Sequence, residues 1–158
     1  MTRRALLSGL GLLAAFPKDI WSAVQQADPW TPSELIQPAQ LAEILKARSG
    51  QPHIICVAFP VLYRTRHIAG AEFAGPTSKP EGIASLKQTA AQLPKNADIV
   101  LYCGCCPMVR CPNIRPAYRT LKELGFTHVR VVSLPDDFRQ DWENKGYPVE
   151  PASAAVVR

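Results

Sequence analysis

The sequence predicts an α/β domain in which helices cover both faces of a parallel sheet. Short apolar runs rich in β-branched residues alternate along the chain with segments that have helical spacing of apolar side chains. Strands of a parallel sheet are buried on both faces, and they therefore appear in a sequence as continuous apolar runs. At 158 residues, 47% of them apolar, the chain is long enough for one domain with its own core.

The predicted elements follow one another in this alternating order. The segments predicted as strands are residues 35–36, 53–59, 99–102 and 129–132. The segments predicted as helices are one from Pro38 to before Gly50, a turn or short helix at 60–66, and helices at 83–93, 117–124 and 138–142. Proline suits the first turn of a helix and glycine its end, which places a start at Pro38 and a stop at Gly125.

One loop, between the strand 99–102 and the following helix, holds four of the five cysteines. They are Cys103, Cys105, Cys106 and Cys111. Ligands of α/β proteins bind at the carboxyl ends of the strands, where a helix amino terminus also favours anions, including a thiolate. Four cysteines within nine residues of a loop favour a chemical role over simple packing.

The charges around this loop are all positive. Residues 99–122 contain no acidic side chain, whereas Arg110, Arg115, Arg119 and Lys122 are cationic. We therefore expect Cys103 to ionise more readily than a free thiol. Elsewhere the charge is mild, at +5 for the whole chain, with no basic run interleaved with aromatic residues. The composition therefore predicts no nucleic-acid partner.

The amino terminus has the pattern of an export signal. Arg3 and Arg4 precede a short apolar segment, residues 5–16, and the adjacent arginines resemble a twin-arginine signal. An amphipathic or buried first helix is the alternative. We predict export, to the periplasm, with membrane attachment only through an uncleaved signal. Thiols outside the cytoplasm tend to be oxidised, and because five cysteines is an odd number, at least one stays free or pairs elsewhere.

Four segments between residues 35 and 150 together resemble a single rhodanese-like domain. They are His67-Ile68-Ala69-Gly70-Ala71, the strand that ends in Cys103, residues 117–126 followed by Val129 and Leu134, and Trp142 with Gly146-Tyr147-Pro148-Val149. The resemblance implies a five-stranded parallel sheet with flanking helices. It divides the chain into a signal and the start of a linker (1–27), a linker (28–34), the domain (35–150) and a tail (151–158).

The resemblance also implies a sulfurtransferase in which Cys103 is the nucleophile. Its thiolate would attack the outer sulfur of an anionic, thiosulfate-like donor and carry that sulfur as a persulfide to a thiol or protein acceptor. Loop amides would hold the persulfide, and Arg110 and Arg115 would bind the donor's oxygens through forked hydrogen bonds. This reaction needs no cofactor. His67 is expected to be a structural, hydrogen-bonding residue.

The chain differs from the family pattern in ways that leave two other uses of the loop open. The loop from 104 to 112 is longer than usual, and Cys56 and Ala58 replace an Asp-x-Arg pair. Cys103, Cys105, Cys106 and Cys111 could instead bind a soft metal, copper or zinc. Alternatively, Cys105, Cys106 or Cys111 could resolve an oxidised Cys103 by forming a disulfide. Cys56 is expected on a neighbouring strand, as a buried thiol.

Overall fold

A five-stranded parallel sheet forms the centre of the fold. The computed structural model describes residues 27–151. The strands in chain order are β1 (Leu35–Ile36), β2 (His53–Cys56), β3 (His67–Ile68), β4 (Glu72–Phe73), β5 (Asp98–Tyr102), β6 (His128–Val132) and β7 (Val149–Glu150). The parallel sheet has the order β1-β6-β5-β2-β4, and β3 pairs with β7 in a separate antiparallel ribbon.

Helices connect the parallel strands. They are α1 (Pro38–Ala47), α2 (Pro60–Thr65), α3 (Pro80–Ala90), α4 (Ile114–Glu123) and α5 (Phe138–Asp141). Single 3₁₀ turns lie at Pro32–Glu34, Met108–Arg110 and Glu143–Lys145. The first three α-helices begin with proline, whose missing N–H costs nothing at that position.

The central strand β5 carries the site and is covered on both faces. Its residues from Ile99 to Tyr102 are all buried, and because successive strand residues point to opposite faces, both sides of the sheet are packed. The helix α4 contacts both β5 and β6, and α3 packs against α4. The predicted α/β fold with a five-stranded parallel sheet is therefore confirmed.

Several predicted boundaries differ from the structure by up to three residues, and three short strands, β3, β4 and β7, were not predicted. Strand β2 ends at Cys56, although the apolar run continues to Phe59. Val57 and Ala58 lie beyond the strand but are still buried, which accounts for the longer apolar run. Helix α3 begins three residues before Ile83, at Pro80. The β3–β7 ribbon was not predicted, since its two-residue strands each contain a polar residue, whereas the equally short β1 is an apolar pair.

The predicted linker packs against helix α4. We name residues 27–34 the amino-terminal strap. Within it, Trp30 is buried and packs edge-on against Tyr118 of α4, with ring centroids 5.6 Å apart. Asp28 forms an ion pair with Arg115 at 2.5 Å. The predicted export signal lies outside the described residues, and within residues 27–151 no helix has the length and apolarity needed to span a membrane.

Candidate functional site

Cys103 lies at the carboxyl end of β5, directly after the last residue of that strand. Its side chain is 5% exposed, and it lines a cleft of about 380 Å³ at this edge of the sheet. The strand is flanked by β2 and β6, so the position is fixed by pairing on both sides. A buried sulfur that still borders a cleft is accessible to a small ligand but shielded from bulk water.

The sulfurs of the loop cysteines lie close together. The Cys103 thiol donates a hydrogen bond to the Cys105 sulfur at 3.2 Å, and the Cys106 sulfur lies 3.2 Å from that of Cys105. The sulfurs of Cys103, Cys105 and Cys111 all lie within 4.8 Å of one another, and we name these residues the three-thiol group. Cys106 is outside this group. Among the predicted resolving residues, Cys105 and Cys111 therefore both lie close to Cys103.

Among the clustered cysteines, Cys111 receives the contacts that favour a thiolate. Hydrogen bonds from the thiols of Cys103 and Cys105, together with backbone N–H groups of Asn113 and Ile114, lower the pKa of Cys111 well below its usual range. The pKa of Cys103 is raised, because its thiol proton is held by Cys105 and Cys111 and because the side chain is buried. The expectation that Cys103 ionises readily is therefore wrong for the resting protein.

The fully buried Asn113 fixes the loop from inside. Its side-chain N–H group donates to the Cys103 sulfur at 3.4 Å, and its Oδ1 accepts from the backbone N–H of Ser78 at 2.9 Å. Its backbone carbonyl accepts a hydrogen bond from the buried hydroxyl of Thr77. Because each polar group has a partner, the amide is satisfied without water and its side chain has one orientation.

Two arginines that the sequence analysis did not select line the same cleft as Cys103. Arg66 follows α2 and Arg139 lies in α5, and their Nε atoms each lie 4.0 Å from a carboxylate oxygen of Glu143. Their side chains are 60% and 80% exposed. Such long, exposed contacts hold the guanidinium groups weakly. Both groups are therefore free to turn toward an anion in the cleft.

The arginines predicted to bind substrate lie at a different cavity. Arg110 and Arg115 line a second cavity of about 430 Å³, together with Arg119, Asp28 and Cys111. Arg115 donates hydrogen bonds to the carbonyl oxygens of Met108 and Cys111, at 3.2 and 3.4 Å, as well as to Asp28. Its guanidinium therefore holds the loop and the amino-terminal strap, and it does not line the cleft of Cys103.

A sequence signal for the second pair of arginines existed but was weak. Arg66 directly precedes the segment that begins at His67, and Arg139 follows Phe138 at the start of the last helix. A charge beside a recognisable segment is usually an ordinary solvated residue. What selects these two arginines is the folding of α2 and α5 to the same edge of the sheet, which the sequence spacing does not reveal.

His67 and Cys56 occupy structural positions. His67 is buried, its Nδ1 atom bonds to the Tyr63 carbonyl at 2.9 Å, and its ring stacks on that of Tyr63 at 3.9 Å. Cys56 lies on β2 opposite Tyr102, so it is on the strand next to that of Cys103. Burial raises the pKa of the Cys56 thiol to about 11, as expected for an inert apolar thiol.

Solved structures with the same fold include rhodanese-like domains. The rhodanese-like domain of the Alr3790 protein from Anabaena aligns with a TM-score of 0.56 at 23% sequence identity, over 75% of this chain and 80% of that chain. The BH2092 protein from Bacillus halodurans aligns with a TM-score of 0.60 at 21% identity, over 80% of this chain and 82% of the other. The resemblance to rhodanese-like domains is thus confirmed at the level of the fold.

A thiosulfate sulfurtransferase from Pseudomonas aeruginosa has the same fold in part of its length. It aligns with a TM-score of 0.55 at 24% identity, over 77% of this chain but 20% of that one. No protein-family profile matches the sequence, and no curated protein matches it. The chain therefore has a rhodanese-like fold with a cysteine-rich loop at the edge where this sheet can bind a ligand.

Proposed function

We propose that the protein is a sulfurtransferase that carries sulfur as a persulfide on Cys103. The donor is a small anion such as thiosulfate, and the acceptor is a thiol, on a small molecule or on a protein. The observation that carries the proposal is that Cys103 lines a cleft also lined by two arginines, Arg66 and Arg139, whose guanidinium groups are weakly held. The fold, shared in part with a thiosulfate sulfurtransferase, supports the same chemistry.

Sulfur transfer to Cys103 proceeds by nucleophilic displacement. The thiol proton of Cys103 passes to the Cys105 sulfur along their 3.2 Å hydrogen bond while the Cys105 proton passes to the Cys111 thiolate, so that the negative charge moves from Cys111 to Cys103. The Cys103 thiolate attacks the outer sulfur of thiosulfate, a new S–S bond forms, and sulfite leaves with the electrons of the broken S–S bond. An acceptor thiolate then attacks the outer persulfide sulfur, which returns Cys103 as a thiolate.

Arg66 and Arg139 supply the positive charge that an anionic donor needs. A guanidinium group offers paired N–H donors that match two oxygens of a sulfonate-like group. Both side chains contact the same carboxylate, that of Glu143, so donor binding exchanges a weak ion pair for a charge-assisted hydrogen bond. The two arginines then hold the oxygens of the donor while its outer sulfur faces Cys103.

Mass spectrometry of the protein after treatment with thiosulfate tests the nucleophile. We expect an increase by the mass of one sulfur atom, located on the peptide that contains Cys103, and its absence in Cys103→Ser. Cys106→Ser is the matched control, because that cysteine lies in the same loop but outside the three-thiol group. Persulfide formation that persists in Cys103→Ser would refute the assignment.

The role of the two cleft arginines is tested by steady-state kinetics. We expect Arg66→Gln and Arg139→Gln each to raise KM for thiosulfate by roughly three- to tenfold, as for loss of one partly exposed charged hydrogen bond. With an uncharged trisulfide donor, the same variants should change KM little. Arg110→Gln, at the second cavity, is the control. If Arg110→Gln raises KM and the cleft variants do not, the donor binds at the second cavity instead.

We also propose that residues 1–27 export the protein, so that sulfur transfer occurs in the periplasm. The support is the pair Arg3 and Arg4 before an apolar segment. Fusion of residues 1–27 to a reporter enzyme that is active only after export should give periplasmic activity, and Arg3→Lys with Arg4→Lys should reduce it. A reporter that stays in the cytoplasm would contradict export.

A further inference from the structure

The three-thiol group has a geometry that sulfur transfer does not require. A sulfurtransferase needs one nucleophilic cysteine, yet the sulfurs of Cys103, Cys105 and Cys111 all lie within 4.8 Å of one another. We propose that these three cysteines form a binding site for a single copper(I) ion. The site goes beyond the proposed sulfur transfer and competes with it, because both use the Cys103 sulfur.

The distances suit a metal ion held by three thiolates in a plane. A metal ion about 2.3 Å from each of three sulfurs places those sulfurs about 4.0 Å apart. The Cys103 and Cys105 sulfurs lie 3.2 Å apart, and no pair in the group exceeds 4.8 Å. The sulfurs therefore need to move by less than about 1 Å each to reach the bonding geometry.

The loop holds these sulfurs in place by contacts that do not involve a metal. The Cys103 sulfur accepts from the buried Asn113 side chain at 3.4 Å. The backbone carbonyl of Cys111 accepts a hydrogen bond from the Arg115 guanidinium at 3.4 Å. Because the group is organised before the ion arrives, little conformational entropy is lost on binding.

The composition of the site selects copper(I) over zinc. Within residues 27–151, the cluster contains neither a histidine nor a carboxylate within ligand distance of all three sulfurs. Structural zinc sites are almost always four-coordinate. The Cys106 sulfur lies 3.2 Å from that of Cys105 but not within 4.8 Å of all three sulfurs, so Cys106 is not placed as a fourth ligand. Copper(I) is a soft ion that accepts three thiolates without a fourth ligand, and thiolates are ligands that it prefers.

A small void borders two of the three cysteines. It has a volume of about 10 Å³, close to that of one water-sized sphere, and it is lined by Cys103 and Cys111 together with Cys106 and Met108, but not by Cys105. It leaves room for one ion beside Cys103 and Cys111 and excludes a larger ligand.

Anaerobic titration of the reduced full-length protein with copper(I), in competition with a chromophoric copper(I) chelator, tests the site. We expect one ion per chain and, by X-ray absorption, three sulfur neighbours. Cys103→Ser, Cys105→Ser and Cys111→Ser should each weaken binding by roughly 100-fold or more, beyond the usual effect of losing an outer contact. Cys106→Ser, the matched control, removes only an outer contact to the Cys105 sulfur and should weaken binding by no more than about tenfold.

Several results would overturn the site. They are a spectrum with two or four sulfur neighbours, an equal loss of affinity in Cys106→Ser, and displacement of copper(I) by equimolar zinc. The X-ray absorption spectrum is recorded on the protein without substitutions, so it tests the copper(I) site even if a variant fails to fold. Cys105 is only half-buried, which makes Cys105→Ser the variant with the smallest effect on folding. Copper loading should also prevent persulfide formation on Cys103, whereas the metal-free protein reports on sulfur transfer separately.

Discussion

Gly104 has a backbone conformation and surroundings that leave no room for a side chain. Its φ angle is +69°, and a β-carbon there would lie 2.6 Å from the β-carbon of Phe138. Its carbonyl accepts the backbone N–H of Phe138 at 3.1 Å, which ties the loop to the first residue of α5. Since Cys103 and Cys105 flank this residue, the glycine determines how close their sulfurs come.

Gly104→Ala should therefore destabilise the protein strongly. The left-handed conformation costs a non-glycine residue about 1–2 kcal/mol. The clash with Phe138 adds about 1–3 kcal/mol of overpacking. We expect urea denaturation to show a loss of about 2–5 kcal/mol in the free energy of unfolding.

Gly70→Ala is the control for the conformational cost alone. Gly70 has a φ angle of +75°, but a β-carbon there meets nothing within 4 Å. We expect a loss of about 1–2 kcal/mol for this variant. Equal losses for the two variants would show that the contact between Gly104 and Phe138 does not determine the loop position.

At the level of single residues, the sequence allowed prediction of the position of Cys103 but not of the hydrogen bonds around its sulfur. The position of Cys103 followed from an apolar strand that ends in a cysteine. The distribution of protons among Cys103, Cys105 and Cys111 depends on which backbone N–H groups face which sulfur. The conformation of the loop decides which N–H groups face each sulfur, and the spacing of residues in the sequence does not encode that conformation.

At the level of elements, Arg115 connects the start of α4 to the 3₁₀ turn Met108–Arg110. Its Nη1 group donates to the Met108 carbonyl at 3.2 Å and to the Cys111 carbonyl at 3.4 Å, while Nη2 pairs with Asp28. The guanidinium thus bridges the cysteine loop and the amino-terminal strap. A side chain with this geometry positions the loop from outside, as Asn113 does from inside.

Arg115→Lys should loosen the cysteine loop without unfolding the domain. Lysine keeps the charge beside Asp28, but a single ammonium group does not reproduce the planar fork that reaches both carbonyls. We expect hydrogen exchange at the backbone N–H groups of Arg110 and Cys111 to accelerate by roughly tenfold, as for the loss of about 1.4 kcal/mol of local stability.

Arg119→Lys is the matched control for this change. Arg119 lies in the same helix and lines the same cavity. Within residues 27–151 its side chain makes no hydrogen bond to the loop, in contrast to that of Arg115. Unchanged exchange in Arg115→Lys, or equal acceleration in both variants, would show that the forked contact does not hold the loop.

Elements were predicted where they have a periodic or continuous apolar pattern. Strand β5 and helix α4 satisfy this condition, and their predicted positions agree with the structure to within a few residues. The β3–β7 ribbon does not satisfy it, because its strands are held by long-range contacts, such as the hydrogen bond that the Ile68 N–H donates to the Tyr102 hydroxyl oxygen at 3.1 Å. Such long-range contacts leave no local signal.

At the scale of the whole molecule, the candidate site is assembled from distant parts of the chain. The cysteines come from the loop after β5, Arg66 comes from the end of α2, and Arg139 comes from α5. Parallel strands place their carboxyl ends at one edge, and the connections that leave this edge meet there. This topology therefore brings Cys103, Arg66 and Arg139 to the same cleft.

The amino-terminal strap makes the stability of the whole domain depend on pH. Glu34 accepts hydrogen bonds from the Thr31 backbone N–H at 2.8 Å and from the Tyr118 hydroxyl, and it lies 3.5 Å from the Lys122 ammonium. These contacts, the Thr31 bond first, lower the pKa of Glu34 to about 2 from its usual 4.5. The carboxylate therefore binds fewer protons in the folded than in the unfolded chain at intermediate acidity.

Because the folded pKa is the lower one, this stabilisation is complete above the unfolded value of 4.5 and is lost as the pH falls toward 2. Glu34→Gln cannot be protonated, so its free energy of unfolding should fall less steeply over this range, although it starts lower at neutral pH. The pKa of Asp137 is lowered by the Gln140 backbone N–H, so this residue also makes stability fall with decreasing pH. Some pH dependence of the free energy of unfolding should therefore remain in Glu34→Gln. Urea midpoints measured across this pH range give the comparison, and parallel curves for the two proteins would mean that the strap carboxylate is not coupled to folding.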